Sequence, residues 1–129
     1  MTTDPITISP KTHISEAYDL MQRYNVRRLP VVENEKVVGI ISFGDVREAG
    51  PSDASSLTKY EVDFLVAKLT VEEIMTQSPK TLSKDASLHD AAQLMLDNKI
   101  GGLPVLDGDK LVGMVTESDV FRAVLEVCG

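Results

Sequence analysis

Leu29-Pro30-Val31-Val32 and Leu103-Pro104-Val105-Leu106 are one short stretch written twice, 74 residues apart. Working outward from Pro30 and Pro104, the same shift sets Pro5 on Pro79, Thr7 on Thr81 and Ser9 on Ser83. It sets Ala17 on Ala91, Leu20 on Leu94 and Met21 on Met95, then Lys36 on Lys110, Val38 on Val112 and Gly39 on Gly113. It closes with Asp45 on Asp119, Val46 on Val120 and Ala49 on Ala123. Other pairs are conservative, such as Val26 with Ile100, Ile41 with Val115 and Ser42 with Thr116. Two matched dipeptides would be chance, but a gapless register through Pro, Gly and Asp marks a repeat architecture. The chain is read as repeat 1 (1–49), a connector (50–74) and repeat 2 (75–129). Even Met1-Thr2 falls on Met75-Thr76. Repeat 2 is preceded by Val71-Glu72-Glu73-Ile74, a short lead-in turn that repeat 1 lacks.

Each copy reads as β-α-β-β-α. Residues 6–8 and 80–82 are short extended segments after a proline. An amphipathic helix follows, with Ile14, Ala17, Leu20, Met21 and Tyr24 at helical spacing in repeat 1 and Leu88, Ala91, Leu94 and Met95 in repeat 2. Ser87 with Asp90 three residues on forms a capping box. The Leu-Pro-Val strand is entered through its proline. Polar turns at 33–36 and 107–110 lead into Val37-Val38-Gly39-Ile40-Ile41 and Leu111-Val112-Gly113-Met114-Val115. A final helix is expected to start near Asp45 or Asp119, with Val120, Ala123, Val124 and Val127 along the second copy. In the connector, Leu57, Tyr60, Phe64 and Ala67 predict a further helix. One copy is too small to cover its strands on both faces. The fold class expected is α+β, with two copies packed sheet to sheet as a pseudo-two-fold pair.

Composition bounds the function. At 129 residues with 43% hydrophobic and 26% charged residues, the chain suits one compact module. With no Trp, its core must be aliphatic. A net charge of −7 argues against a nucleic-acid surface, which needs clustered Lys and Arg, and against anionic membranes. A local basic pocket can still take a small anion, because charge is screened over about 8–10 Å. A lone cysteine, Cys128, excludes an intrachain disulfide and a cysteine metal cluster and fits a cytoplasmic setting. His13 and His89 are not equivalent under the shift and lie in no ligand-spaced cluster, so no metal site is expected. Gly-x-Ser-x-Gly, His-Glu-x-x-His and P-loop patterns are absent, and no catalytic residue is assigned.

The repeat resembles the CBS domain, named after cystathionine β-synthase. The resemblance rests on the Leu-Pro-Val strands and on Gly39-Ile40-Ile41-Ser42-Phe43-Gly44-Asp45, which recurs as Gly113-Met114-Val115-Thr116-Glu117-Ser118-Asp119. Val71 to Thr76 is similar to the lead-in of many CBS repeats, and Tyr60–Leu65 through Met75 is similar to pairs in acetoin-utilisation-type proteins. The resemblance implies a regulatory module, needing no cofactor for chemistry, that binds AMP, ADP, ATP or S-adenosylmethionine in clefts between the repeats. It also implies a homodimer, with any signal leaving through an effector protein.

Within that resemblance, Asp45 and Asp119 are the ribose ligands, because an ionised carboxylate accepts both hydroxyls of a cis-diol. Ser42 and Thr116 are hydroxyl donors to phosphate or ribose, and Gly44 and Ser118 complete the turn where backbone N–H groups favour an anion. All four Ser, Thr and Asp residues are equally good helix caps, and the two roles can coexist. The family places further contacts just before Leu-Pro-Val. Repeat 1 has Arg27 and Arg28 there, a bidentate anion site or else solvated charge or a dimer salt bridge. Repeat 2 has Gly101 and Gly102, allowing close backbone approach or simply a tight turn. By family geometry the Asp45 site borrows Met75, Lys80, Ile100 and Gly101, and the Asp119 site borrows Ile6 and Val26. Ile, Val and Met are also ordinary core residues. The expectation is that the Asp45 site holds the phosphorylated end of a nucleotide. The Asp119 site, without those cations, is weaker, empty or suited to an adenosyl group without phosphate. The competing readings are a dimerisation module with no ligand and, more remotely, an enzyme.

Overall fold

A computed structural model describes residues 2–49 and 68–128. The elements are β1 (Thr2–Thr3), α1 (Ile14–Tyr24), β2 (Arg28–Glu33), β3 (Lys36–Ser42), α2 (Phe43–Ala49), α3 (Val71–Ile74), β4 (Thr76–Gln77), β5 (Leu82–Ser83), α4 (Leu88–Asn98), β6 (Gly102–Asp107), β7 (Lys110–Thr116) and α5 (Glu117–Cys128). The helix expected in the connector lies outside the described residues.

Two compact units emerge, and they do not coincide with the two repeats. The first unit comprises Ile6–Asn34 and Val38–Ser78; the second comprises Met1–Pro5, Glu35–Val37 and Pro79–Gly129. In the second unit the sheet runs β1-β7-β6-β5. There β1 is antiparallel to β7, with Thr2 opposite Met114 and Thr3 opposite Gly113. The other sheet runs β2-β3-β4, and β4 sets Thr76 opposite Ile40 and Gln77 opposite Gly39. The repeats thus trade their first strands in matching register. The chain turns out of both strands at a left-handed residue, Asp4 (φ 49°) and Ser78 (φ 47°), each just before a proline.

Each unit has its own aliphatic core. In the first unit Ile8, Ile14, Ala17, Met21, Leu29, Val31, Ile41 and Val71 are buried together. In the second, Ala91, Met95, Leu103, Val105 and Val115 are. The Leu-Pro-Val strands sit in the middle of both, as their continuous apolar run requires. Tyr24, expected on the buried face of α1, is half-exposed. It occupies the last turn, where Asn25 at φ 52° ends the helix.

The equivalent helices α1 and α4 begin differently. Ser87 caps α4: its Oγ accepts the Asp90 N–H at 3.0 Å and its own N–H donates to Asp90 Oδ2 at 3.1 Å. This is the expected capping box. His13, at the same place before α1, makes no side-chain cap. There the lead-in substitutes. Ile14 N donates to Leu69 O at 3.0 Å, Val71 N to Thr12 O at 2.7 Å and Glu72 N to Pro10 O at 3.0 Å. The lead-in is itself fastened by Thr70 N donating to Glu73 Oε2 at 2.7 Å. Val71 is fully buried beside Ile14 in the same core.

Candidate functional site

The two motifs end in the same local structure. In the first unit β3 passes into α2 at Ser42, and in the second unit β7 passes into α5 at Thr116. Both helices begin two residues before the expected Asp45 and Asp119, because each aspartate sits in the first turn and fastens the residue at the cap. Ser42 N donates to Asp45 Oδ2 at 2.8 Å while Asp45 N donates to Ser42 Oγ at 3.0 Å. Thr116 N donates to Asp119 Oδ2 at 2.8 Å, and the Thr116 hydroxyl donates to the same oxygen at 3.3 Å. Capping is therefore an observed role of Ser42, Asp45 and Asp119, while the Thr116 hydroxyl braces the Asp119 carboxylate. Their other expected role requires only that acceptor capacity remain.

The segment before each Leu-Pro-Val strand is tied to its junction through backbone. Phe43 N donates to Arg27 O at 2.7 Å, and Glu117 N donates to Gly101 O at 3.1 Å. In each unit the chain thus holds the pre-strand residue beside the start of the helix that carries the aspartate. Arg27 is exposed and Arg28 half-buried, whereas Gly101 and Gly102 are buried. Phe43 stacks on Tyr18 with ring centroids 6.0 Å apart, and the Arg47 guanidinium lies over the Phe43 ring. Gly44 and Ser118 are exposed one residue before each aspartate. A Cβ on Gly44 would meet only Ser42 Oγ at 3.6 Å, so packing does not dictate glycine there.

Of the residues expected to border Asp45, Met75 falls in the same unit. Its side chain lies against Gly39, where a Cβ would overlap the sulfur and meet Thr76 O at 3.0 Å. Lys80, Ile100 and Gly101 belong to the second unit, Lys80 exposed and Ile100 packed on the core of that unit. Ile6 and Val26, expected to border Asp119, belong to the first unit and pack on its core.

Sequence reasoning missed Arg122. Its Nη1 lies 3.3 Å from Asp119 Oδ1, so the second junction, with glycines in place of Arg27 and Arg28, carries a different cation of its own. The signal was present: one turn beyond each aspartate, the 74-residue shift sets Glu48 on Arg122. His13, His89 and Cys128 are exposed. Among the described residues no group of three or more His, Cys, Asp or Glu could hold a metal ion. Nor is any described helix long and apolar enough to cross a membrane.

The CBS-domain family profile matches residues 1–52 and 71–126. This chain belongs to the CBS-domain family. It is a CBS pair with a mixed α/β fold, as its solved neighbours are. Protein MJ1225 of Methanocaldococcus jannaschii is 38% identical over 128 residues, covering 94% of this chain and 46% of its own length. The CBS pair thus spans about half of that relative. The structure of CBSX2 in complex with AMP is 29% identical with a TM-score of 0.79, covering all of this chain and 95% of that one. A candidate acetoin utilization protein (AcuB) from Vibrio cholerae is also 29% identical with a TM-score of 0.79, covering 99% of this chain and 88% of its own. The CBS pair of protein MJ0100, in complex with 5′-methylthioadenosine and S-adenosyl-L-methionine, is 28% identical with a TM-score of 0.75, covering 98% and 94%.

Proposed function

We propose that this CBS pair is a non-catalytic regulatory module, acting in the cytoplasm, that binds an adenosyl ligand: AMP, ADP, ATP or S-adenosylmethionine. The ligand's ribose is received at Asp45 and Asp119. The observation that carries the reading is the duplicated junction, in which an aspartate at a helix start is anchored through Oδ2 to the cap residue. One oxygen is fixed by the fold, so the carboxylate is oriented before any ligand arrives, which lowers the ordering cost of binding. Ser42 and Thr116 supply hydroxyls beside it. Arg27 and Arg28 supply charge for a phosphate at the first junction. The complexes of CBSX2 with AMP and of MJ0100 with two adenosyl compounds support the ligand class. No cofactor is required, because the module works by favouring one conformation over another. A ligand does this only through unequal affinity for the two.

Thermal unfolding with AMP, ATP and S-adenosylmethionine tests the reading. At about 100 times Kd a true ligand adds about 2.7 kcal/mol. Calorimetric titration of Asp45→Ala and Asp119→Ala then assigns the sites. Absence of any shift with all three compounds would leave a structural module instead.

That alternative has an observation of its own. Leu88 and Leu96 on α4, with Phe121, Val124, Leu125 and Val127 on α5, are all exposed in the second unit. A second copy of the chain is the occupant we propose for this face, giving a homodimer whose signal passes to a separate effector protein. A monomer by light scattering throughout a dilution series would refute it.

A further inference from the structure

We infer that Arg122 makes the Asp119 junction selective for adenosyl ligands that carry a phosphate. The inference rests on the adenosyl reading above and reverses the sequence-based expectation for this junction. The two junctions share one backbone plan, with an identical 2.8 Å bond from the cap N–H to the aspartate Oδ2. They differ in what meets the other oxygen. Asp119 Oδ1 faces Arg122 Nη1 at 3.3 Å. Asp45 Oδ1 has no partner among the described residues, and Glu48 stands where Arg122 would be.

A vicinal diol donates to a carboxylate through two hydroxyls and needs acceptor positions on it. At Asp45 one oxygen is ready. At Asp119 a ribose must first turn Arg122 aside. The Arg122 side chain is 72% exposed, so the pair is screened and yields easily. Once displaced, the guanidinium remains tethered one turn along α5 from the ligand. A phosphate gives it a charge-assisted, bidentate partner in exchange for the carboxylate. An uncharged adenosyl group gives it nothing, and a sulfonium repels it. Arg122 is thus a gate whose displacement is offset only by an anionic ligand.

The test is calorimetric titration of the full chain with AMP and with adenosine, in an Asp45→Ala background that isolates the Asp119 junction. With Arg122 present, AMP is expected to bind more tightly than adenosine. Arg122→Ala is expected to lower the AMP-to-adenosine affinity ratio by about three- to tenfold. Adenosine itself should bind as well or better, and Arg122→Lys should fall in between. A ratio unchanged by Arg122→Ala, or an equal loss for both ligands, overturns the inference while leaving the adenosyl reading intact. If neither compound binds the unsubstituted chain, both fall together. Should Asp45→Ala fail to fold, Glu48→Arg read in an Asp119→Ala background is the reciprocal test. It must raise the same ratio at Asp45, and no rise overturns the inference.

Discussion

Ile14 and Leu88 occupy the same position in the two repeats, at the first turn of α1 and of α4, yet Ile14 is fully buried and Leu88 is 42% exposed. The difference lies outside the repeats. In the first unit the lead-in lays Leu69–Ile74 across the helix start and buries Val71 there. In the second unit no described residue forms those bonds, and the helix start is held by Ser87 instead. The same repeat thus closes its helix N-terminus either with a neighbouring segment or with a side chain. Only the first solution adds apolar burial.

The largest expected effect tests that distinction. Ile14→Ala should cost about 2–4 kcal/mol by removing a fully buried side chain, whereas Leu88→Ala should cost less than about 1 kcal/mol. Urea unfolding of the two variants measures it, and equal losses would break the comparison. Next is Gly39→Ala, which forces Met75 or the Thr76 carbonyl to move and should cost about 1–3 kcal/mol. Gly44→Ala, with room around it, should cost nothing. Third, Ser87→Ala should cost about 1 kcal/mol as a lost cap, while His13→Ala should stay within about 0.5 kcal/mol. Ser87 also carries a pH signature. Its backbone N–H first, and its hydroxyl arrangement second, hold the Asp90 carboxyl below its ordinary range. A depressed carboxylate stabilises above its unfolded pKa, and that stability is lost as pH falls through the lowered folded value. Ser87→Ala keeps the backbone N–H and removes only the smaller hydroxyl contribution, so it should flatten the acid limb of the stability profile in part and not abolish it. The smallest effect concerns the helix ends. Lys99 (φ 54°) and Asn25 (φ 52°) both hold the left-handed position, which Asn tolerates better than Lys. Lys99→Gly should stabilise by about 0.5–1 kcal/mol and Asn25→Gly by a few tenths at most.

Much of this was legible in the residues alone. The 74-residue register located both hairpins, the equivalent helices α1 and α4 and the Ser87 capping box, because proline, glycine and apolar spacing act locally. The strand exchange was not legible. Thr2–Thr3 and Thr76–Gln77 are two residues each and polar, with no periodicity to read. Their partners are chosen by a sheet edge elsewhere in the chain. The candidate site was half legible. Asp45, Asp119, Ser42 and Thr116 stood out by duplication, whereas Arg122 showed only as a mismatch between copies. Its meaning depends on a side-chain approach that spacing does not reveal.

The traded strands make the two halves of the chain mutual templates. Thr2 reaches Met114 across most of the polypeptide, so that contact carries a large loop-closure entropy and belongs late in folding. A cut in the connector would strand one short ribbon on each fragment, leaving both sheets with a bare edge open to mispairing. Mixed together, the fragments should heal each other by complementation, and a folding intermediate with one half formed should be sticky until the other arrives.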